Sequence, residues 1–219
     1  MSYYPGLHSI LEKHIAELEG KFIKPHVPTL PTTTPESYDL DVRAYCVLSH
    51  AAFEQYVEEV SLNLALDAVK GWLQNKSLNR TLLGLLAFQK DRLPVDENEG
   101  TPEVSFFNHI RVASEQAKAA FSSYLIRENH GVSAKYLRLM LLSVGLDVPD
   151  NPRWLGSLRQ LANQRGDTAH RSKVKKIPSP DDVRLWVQDC MEMCASIRED
   201  AKTVLCRPAF EEDHRHYVL

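Results

Sequence analysis

The sequence predicts an all-α bundle with long antiparallel helices, and three observations carry that prediction. Apolar residues recur at three- and four-residue spacing over long stretches, while nothing alternates apolar with polar as a half-buried strand does. The punctuation between stretches is helical, with Ser, Asn or Asp before the apolar rows, Pro at first helical positions and Gly past the ends. With 219 residues, 43% hydrophobic and 25% charged, the chain has globular composition and enough length to bury a core, and it shows no internal repeat.

Leu7, Ile10, Leu11, His14, Ile15, Leu18 and Phe22 outline a first amphipathic helix inside segment 1–24. Pro25, Pro28, Pro31 and Pro35 then exclude a helix until Glu36, so 25–35 reads as an extended connector. Its proline spacing also suits a polyproline ligand, although the flanks carry no matching specificity signal. A helical domain follows over 36–206, and 207–219 is a polar tail.

Within that domain a long helix runs from about Tyr38 to Lys76, with Val42, Cys46, Phe53, Val57, Val60 and Leu64 as one stripe, and a shorter one from about Ser77 to Phe88. The charged stretch Lys90–Thr101 is a loop, after which Pro102 opens a helix to about Arg127. Ser133 caps the next, which Gly145 ends, and Asn151-Pro152 opens the helix that leads to Arg165. Ser179-Pro180-Asp181-Asp182 is the strongest start signal, combining a cap, a proline at the first position and two acids against the helix dipole, and its helix runs to about Cys206. The connection Leu146–Asn151 is longer than the three or four residues of a DNA-binding helix-turn-helix.

A net charge of −3 excludes a protein that coats nucleic acid generally, so polyanion binding has to come from a local patch. Arg159, Arg165, Arg171, Lys173, Lys175 and Lys176 form one, opposed by Asp167 alone, and a solvated interhelical loop is its bland reading. Cys46, Cys190, Cys194 and Cys206 read as reduced core thiols, with Cys190 and Cys194 on the face of Val183, Val187, Ile197 and Ala201. No Cys or His pair at ligand spacing accompanies them, so neither a metal nor another cofactor is expected. The start lacks a charged-then-apolar leader and no apolar run approaches about 18 residues, so no membrane association is expected and the cytoplasm is the expected compartment.

Chemistry concentrates in Gln164-Arg-Gly-Asp-Thr-Ala-His170. The guanidinium of Arg165 is a planar fork matching phosphate oxygens, and the imidazole of His170 takes and gives a proton near neutrality. Positions five apart on a continuous helix point about 140° away from each other, so the spacing predicts an interruption at Gly166, with Asp167 or Thr168 capping a following turn. On the early helix, His50 reads either as a partner set behind the Arg and His cleft or, in the blander reading, as a core histidine satisfied by Glu54. Glu54 itself reads from the residues alone as a helix-surface or cap-contacting carboxylate.

Arg165, Ala169 and His170 resemble the signature of the HEPN family, in its RiboL-PSP-like ribonuclease and toxin type: an Arg, four to six residues and a His before the last long helix. Arg43-Ala-Tyr-Cys-Val-Leu-Ser-His-Ala-Ala-Phe-Glu54 looks like the family's long early helix, and the helical order matches over 36–206. The residue after the Arg is Gly166, where the family usually carries Asn or Asp; Asp167 follows one position later.

The resemblance implies an endoribonuclease without metal, with Arg165 and His170 catalytic and Asp167, Glu54 and Thr168 supporting them. Arg159, Arg171, Lys173, Lys175 and Lys176 would bind the RNA. It further implies a homodimer whose two motifs face one cleft, and a toxin or phage-defence role beside an antitoxin or other neutralising protein. The alternative is a noncatalytic HEPN-like module that binds RNA, nucleotide or protein. A structural helical partner whose Arg165 and His170 only end a helix is a third reading.

Overall fold

A computed structural model of the chain describes residues 4–28, 33–89, 106–129, 131–170 and 177–206, and of residues 4, 5 and 167–170 it describes the backbone alone. Among the described residues seven α-helices and two short 3₁₀ turns account for the regular structure, in an all-α bundle. Helix α1 spans Tyr4–Phe22, α2 Asp39–Asn75, α3 Arg80–Phe88, α4 Phe106–Arg127, α5 Ala134–Leu142, α6 Pro152–His170 and α7 Pro180–Val204.

Helix α2 organises the molecule. Its 37 residues reach about 55 Å, and it packs against each of the other six helices. The stripe expected from Val42, Cys46, Phe53, Val57, Val60 and Leu64 is fully buried, and it widens through Tyr45, Ala65, Ala68 and Val69 into one broad apolar face. The first helix supplies Leu7, Leu11, Ile15 and Leu18 to the same core, whereas Ile10, 63% exposed, and His14, also exposed, stand at the edge of that row and leave the face expected of them; α7 supplies Val183, Val187, Cys190, Cys194, Ile197 and Ala201. Tyr56 ties α2 to α7 by donating its hydroxyl to the Cys194 carbonyl at 3.2 Å.

The caps read from the sequence form. The side chains of Ser133 and Ser179 accept from the backbone N–H of Tyr136 and Asp182, and Asn151 accepts from Arg153 at 3.0 Å. Gly145 follows α5 at φ 74°, where a Cβ would press on the Arg80 backbone at 2.9 Å, so a side chain is excluded there twice over.

Several boundaries differ from expectation. Helix α3 starts at Arg80 because Asn79, whose side chain accepts from Leu82 N–H, is the residue that caps it. The proline connector is not wholly extended, since Lys24–His26 and Pro35–Ser37 form 3₁₀ turns with Pro25 second in the one and Pro35 first in the other. A helix start at Pro102 lies outside the described residues. Cys206 is exposed, two positions past Val204 where α7 ends, so it no longer follows the helix face that buries Cys190 and Cys194. Burial pushes the Cys46 thiol up to about 12 and raises those of Cys190 and Cys194 as well.

The main departure is at Gly166. Helix α6 continues through it to His170, with no break. A glycine inside a helix costs only about 0.5–1 kcal/mol relative to alanine, and α6 packs on both α2 and α7 with Leu158 and Leu161 buried, so that packing outweighs the cost.

Candidate functional site

Arg165 emerges where α6 leaves the core. Leu158 and Leu161, one to two turns earlier and within about 40° of the same direction, are buried, so the Arg165 position continues the row that faces α2. Its side chain remains 41% exposed, and its Nη2 lies 4.0 Å from Oε2 of Glu54, which is mostly buried at 16%. The sequence pairing of Arg165 with Glu54 is thus realised in space.

His50, one turn before Glu54 on α2, forms the floor beside them. Gly131, in the turn between α4 and α5, has φ 135°, and a methyl placed on it would stand 3.2 Å from both Arg165 Nη1 and His50 Cε1. The turn therefore approaches the guanidinium and the imidazole together, and glycine suits it because φ 135° strains any other residue and a Cβ would crowd both groups. Burial, and then the positive charge of Arg165, lower the His50 pKa from 6.5 to about 4, so the ring is neutral at neutral pH. The expectation that Glu54 satisfies this histidine by a bond to Nδ1 is not met, because that buried nitrogen has no hydrogen-bond partner.

One turn further along the same row of α2, Glu58 accepts a hydrogen bond from Asn129 Nδ2 at 2.5 Å. Burial raises the Glu58 pKa, the bond from Asn129 opposes that shift, and Glu59 adds to it. Sequence reasoning missed Glu58, Asn129 and Gly131. The signals existed in the i, i+4, i+8 spacing of His50, Glu54 and Glu58, and in the turn-forming Asn129-His130-Gly131 ahead of the Ser133 cap.

The remaining predicted residues are placed unevenly. Positions 165 and 170 stand about 140° apart around one continuous helix and about 7.5 Å apart along it. Position 170 lines up within about 20° of Arg159, which is exposed, so the motif's two positions follow different faces of α6. Asp167 and Thr168 lie between them in the last turns, and their side chains, like that of His170, are outside the described residues. Arg171, Lys173, Lys175 and Lys176 are also outside the described residues. Among the described residues no group of three His, Cys, Asp or Glu stands together as a metal site, and no helix is long and apolar enough to cross a membrane.

The family model described as RiboL-PSP-HEPN matches residues 11–203, from within α1 almost to the end of α7. The chain belongs to the RiboL-PSP-HEPN family. That membership makes it a module of nucleotide-binding or ribonuclease type. No curated protein and no solved structure matches it. In this HEPN chain the match takes in α2 with His50, Glu54 and Glu58, the turn at Gly131, and the Arg165 to His170 segment of α6.

Proposed function

We propose that this HEPN protein is a metal-independent endoribonuclease in which Arg165 and His170 carry the reaction. The observation that carries the reading is the guanidinium of Arg165, set between Glu54 and the Gly131 turn yet 41% open to solvent, inside the family's Arg and His segment. A ribose 2′-oxygen attacks the adjacent phosphorus as an imidazole takes its proton. The bond from phosphorus to the 5′-oxygen breaks as a second acid protonates that oxygen, leaving a 2′,3′-cyclic phosphate and a 5′-hydroxyl. Arg165 stabilises the charge that grows on the phosphorane oxygens. DNA lacks the attacking hydroxyl and is inert.

The division of acid and base favours a homodimer. One imidazole does not easily serve both roles in a turnover, and positions 165 and 170 of one chain face about 140° apart. Two copies about a two-fold axis place an Arg165 of one chain against a His170 of the other. Arg159, Arg171, Lys173, Lys175 and Lys176 extend the RNA contact, with Asp167 and Thr168 supporting the motif. A toxin or phage-defence role in the cytoplasm, held in check by a neutralising protein, belongs to the same proposal.

A second reading, a noncatalytic RNA- or nucleotide-binding module, draws on that same angular separation together with Gly166 in place of a polar residue. One experiment separates them. Wild type incubated with mixed-sequence RNA in EDTA is expected to leave 2′,3′-cyclic phosphate ends, and His170→Ala is expected to leave the RNA whole. Binding without cleavage by wild type establishes the second reading, and strict dependence on a divalent metal or 5′-phosphate products overturns the first.

A further inference from the structure

We infer that the Glu58–Asn129 pair is a positioning device for Arg165, holding the Gly131 turn against the guanidinium at a fixed height along α2. The inference rests on the reading of Arg165 as the phosphate ligand. His50, Glu54 and Glu58 follow one another at four-residue steps, about 6 Å each, along a single row of α2. The first two of these flank Arg165: Glu54 Oε2 stands 4.0 Å from Nη2, and a methyl on Gly131 would meet Nη1 and the His50 ring at the same 3.2 Å. The third, Glu58, meets the turn instead, through Asn129 Nδ2 at 2.5 Å.

The turn is pinned on either side of Gly131. Asn129 is 8% exposed, its backbone N–H bonds the Tyr124 carbonyl at 3.0 Å, and its side chain reaches α2. On the other side Val132 is wholly buried and Ser133 starts α5, with its carbonyl accepting from Leu137 N–H at 2.8 Å. At φ 135° Gly131 is in a conformation that leaves its backbone little reason to stay put on its own, so what fixes its distance from the guanidinium is the pair of anchors. Of these, the Asn129 to Glu58 bond runs to the same row of the same helix that carries Glu54 and His50. It therefore sets the turn directly against the groups that flank Arg165. A carboxylate acceptor makes it one of the stronger kinds of hydrogen bond, and displacing a clamp by about 1 Å can cost a hundredfold in rate.

The variants Glu58→Ala, Asn129→Ala and Glu58→Gln test this, the last because a Gln oxygen still accepts from Asn129 Nδ2. Two readouts are taken on folded protein, with the folded state checked by circular dichroism. One is the Nε–H NMR signal of Arg165, assigned with Arg165→Lys and titrated with inorganic phosphate. The other is steady-state RNA cleavage. The expected result is that both Ala variants shift and broaden the Arg165 signal and weaken its response to phosphate. They should lower kcat about tenfold or more while KM stays within about twofold. Glu58→Gln should restore both, and the two Ala changes together should cost no more than either alone.

An Arg165 signal unchanged in whichever Ala variant folds overturns the inference. So does a loss of activity in Glu58→Gln equal to that in Glu58→Ala. If wild type cleaves no RNA, the ribonuclease reading fails, and the Arg165 signal with phosphate as probe still decides whether the pair positions the guanidinium.

Discussion

Replacing His50 by Gln should remove a specific part of the protein's acid sensitivity. The imidazole is 1% exposed, its Nδ1 has no hydrogen-bond partner, and Arg165 stands beside it, so the folded state resists protonating it. Its pKa falls from 6.5 to about 4, a difference of about 2.5 pH units at roughly 1.4 kcal/mol each. Above 6.5 the ring is neutral in both states and no cost arises. As the pH drops from 6.5 towards about 4, the unfolded chain binds a proton that the folded chain refuses, and folding free energy is lost at about 1.4 kcal/mol per unit. Below about 4 both states carry the proton and the loss levels off, at about 3–4 kcal/mol in total. That is a large share of the roughly 5–15 kcal/mol by which a domain is stable. Urea unfolding of wild type and His50→Gln across this window measures the difference directly, and acidic groups common to both proteins cancel in the comparison. The expected result is a wild type that loses about 3–4 kcal/mol more than the variant. Parallel pH dependences, or a native His50 ring signal titrating near 6.5, would refute the argument.

Three further outcomes are expected. Arg165→Lys keeps the charge and loses the planar fork, so RNA cleavage should fall at least tenfold while low-salt RNA binding falls modestly; a wild-type rate would show that the fork clamps no transition state. Cys206, exposed, should react with a thiol reagent in the native protein, while the buried Cys46, Cys190 and Cys194 should react only on unfolding, which peptide mapping after timed alkylation checks. Phe53→Ala empties a wholly buried site at the centre of α2 and should cost about 3–5 kcal/mol in urea unfolding, and a loss below about 1 kcal/mol would mean that the core around α2 collapses to fill it.

The sequence by itself determined the order of the helices and, on α2 and α7, the side that is buried. Val42 to Leu64 on α2 and Val183 to Ala201 on α7 repeat at helical spacing, and the Asn151, Ser133 and Ser179 caps each bond a backbone N–H two or three residues ahead. Such signals are local, so they survive without knowledge of any neighbour. The sequence left Glu54 open between a surface carboxylate and, on the family resemblance, a neighbour of the Arg, and the 4.0 Å approach to Arg165 chooses the second. What only the tertiary structure decided is how the groups around Arg165 meet. Gly166 has the residue type of a helix end, yet α6 runs through it because contacts with α2 and α7, more than 80 residues and about 14 residues away in the chain, stabilise the helix beyond what one glycine costs. His50 looked satisfied by its neighbour four residues on and instead lies against a turn 81 positions later, with burial and then Arg165 deciding its charge. Asn129 and Glu58 form their bond across 71 positions, a relation with no periodicity to betray it. Helix-forming preferences act over one or two turns, whereas burial, desolvation and the approach of a guanidinium depend on which distant segments fold together, and that is why the secondary structure could be read from the chain and the surroundings of the site could not.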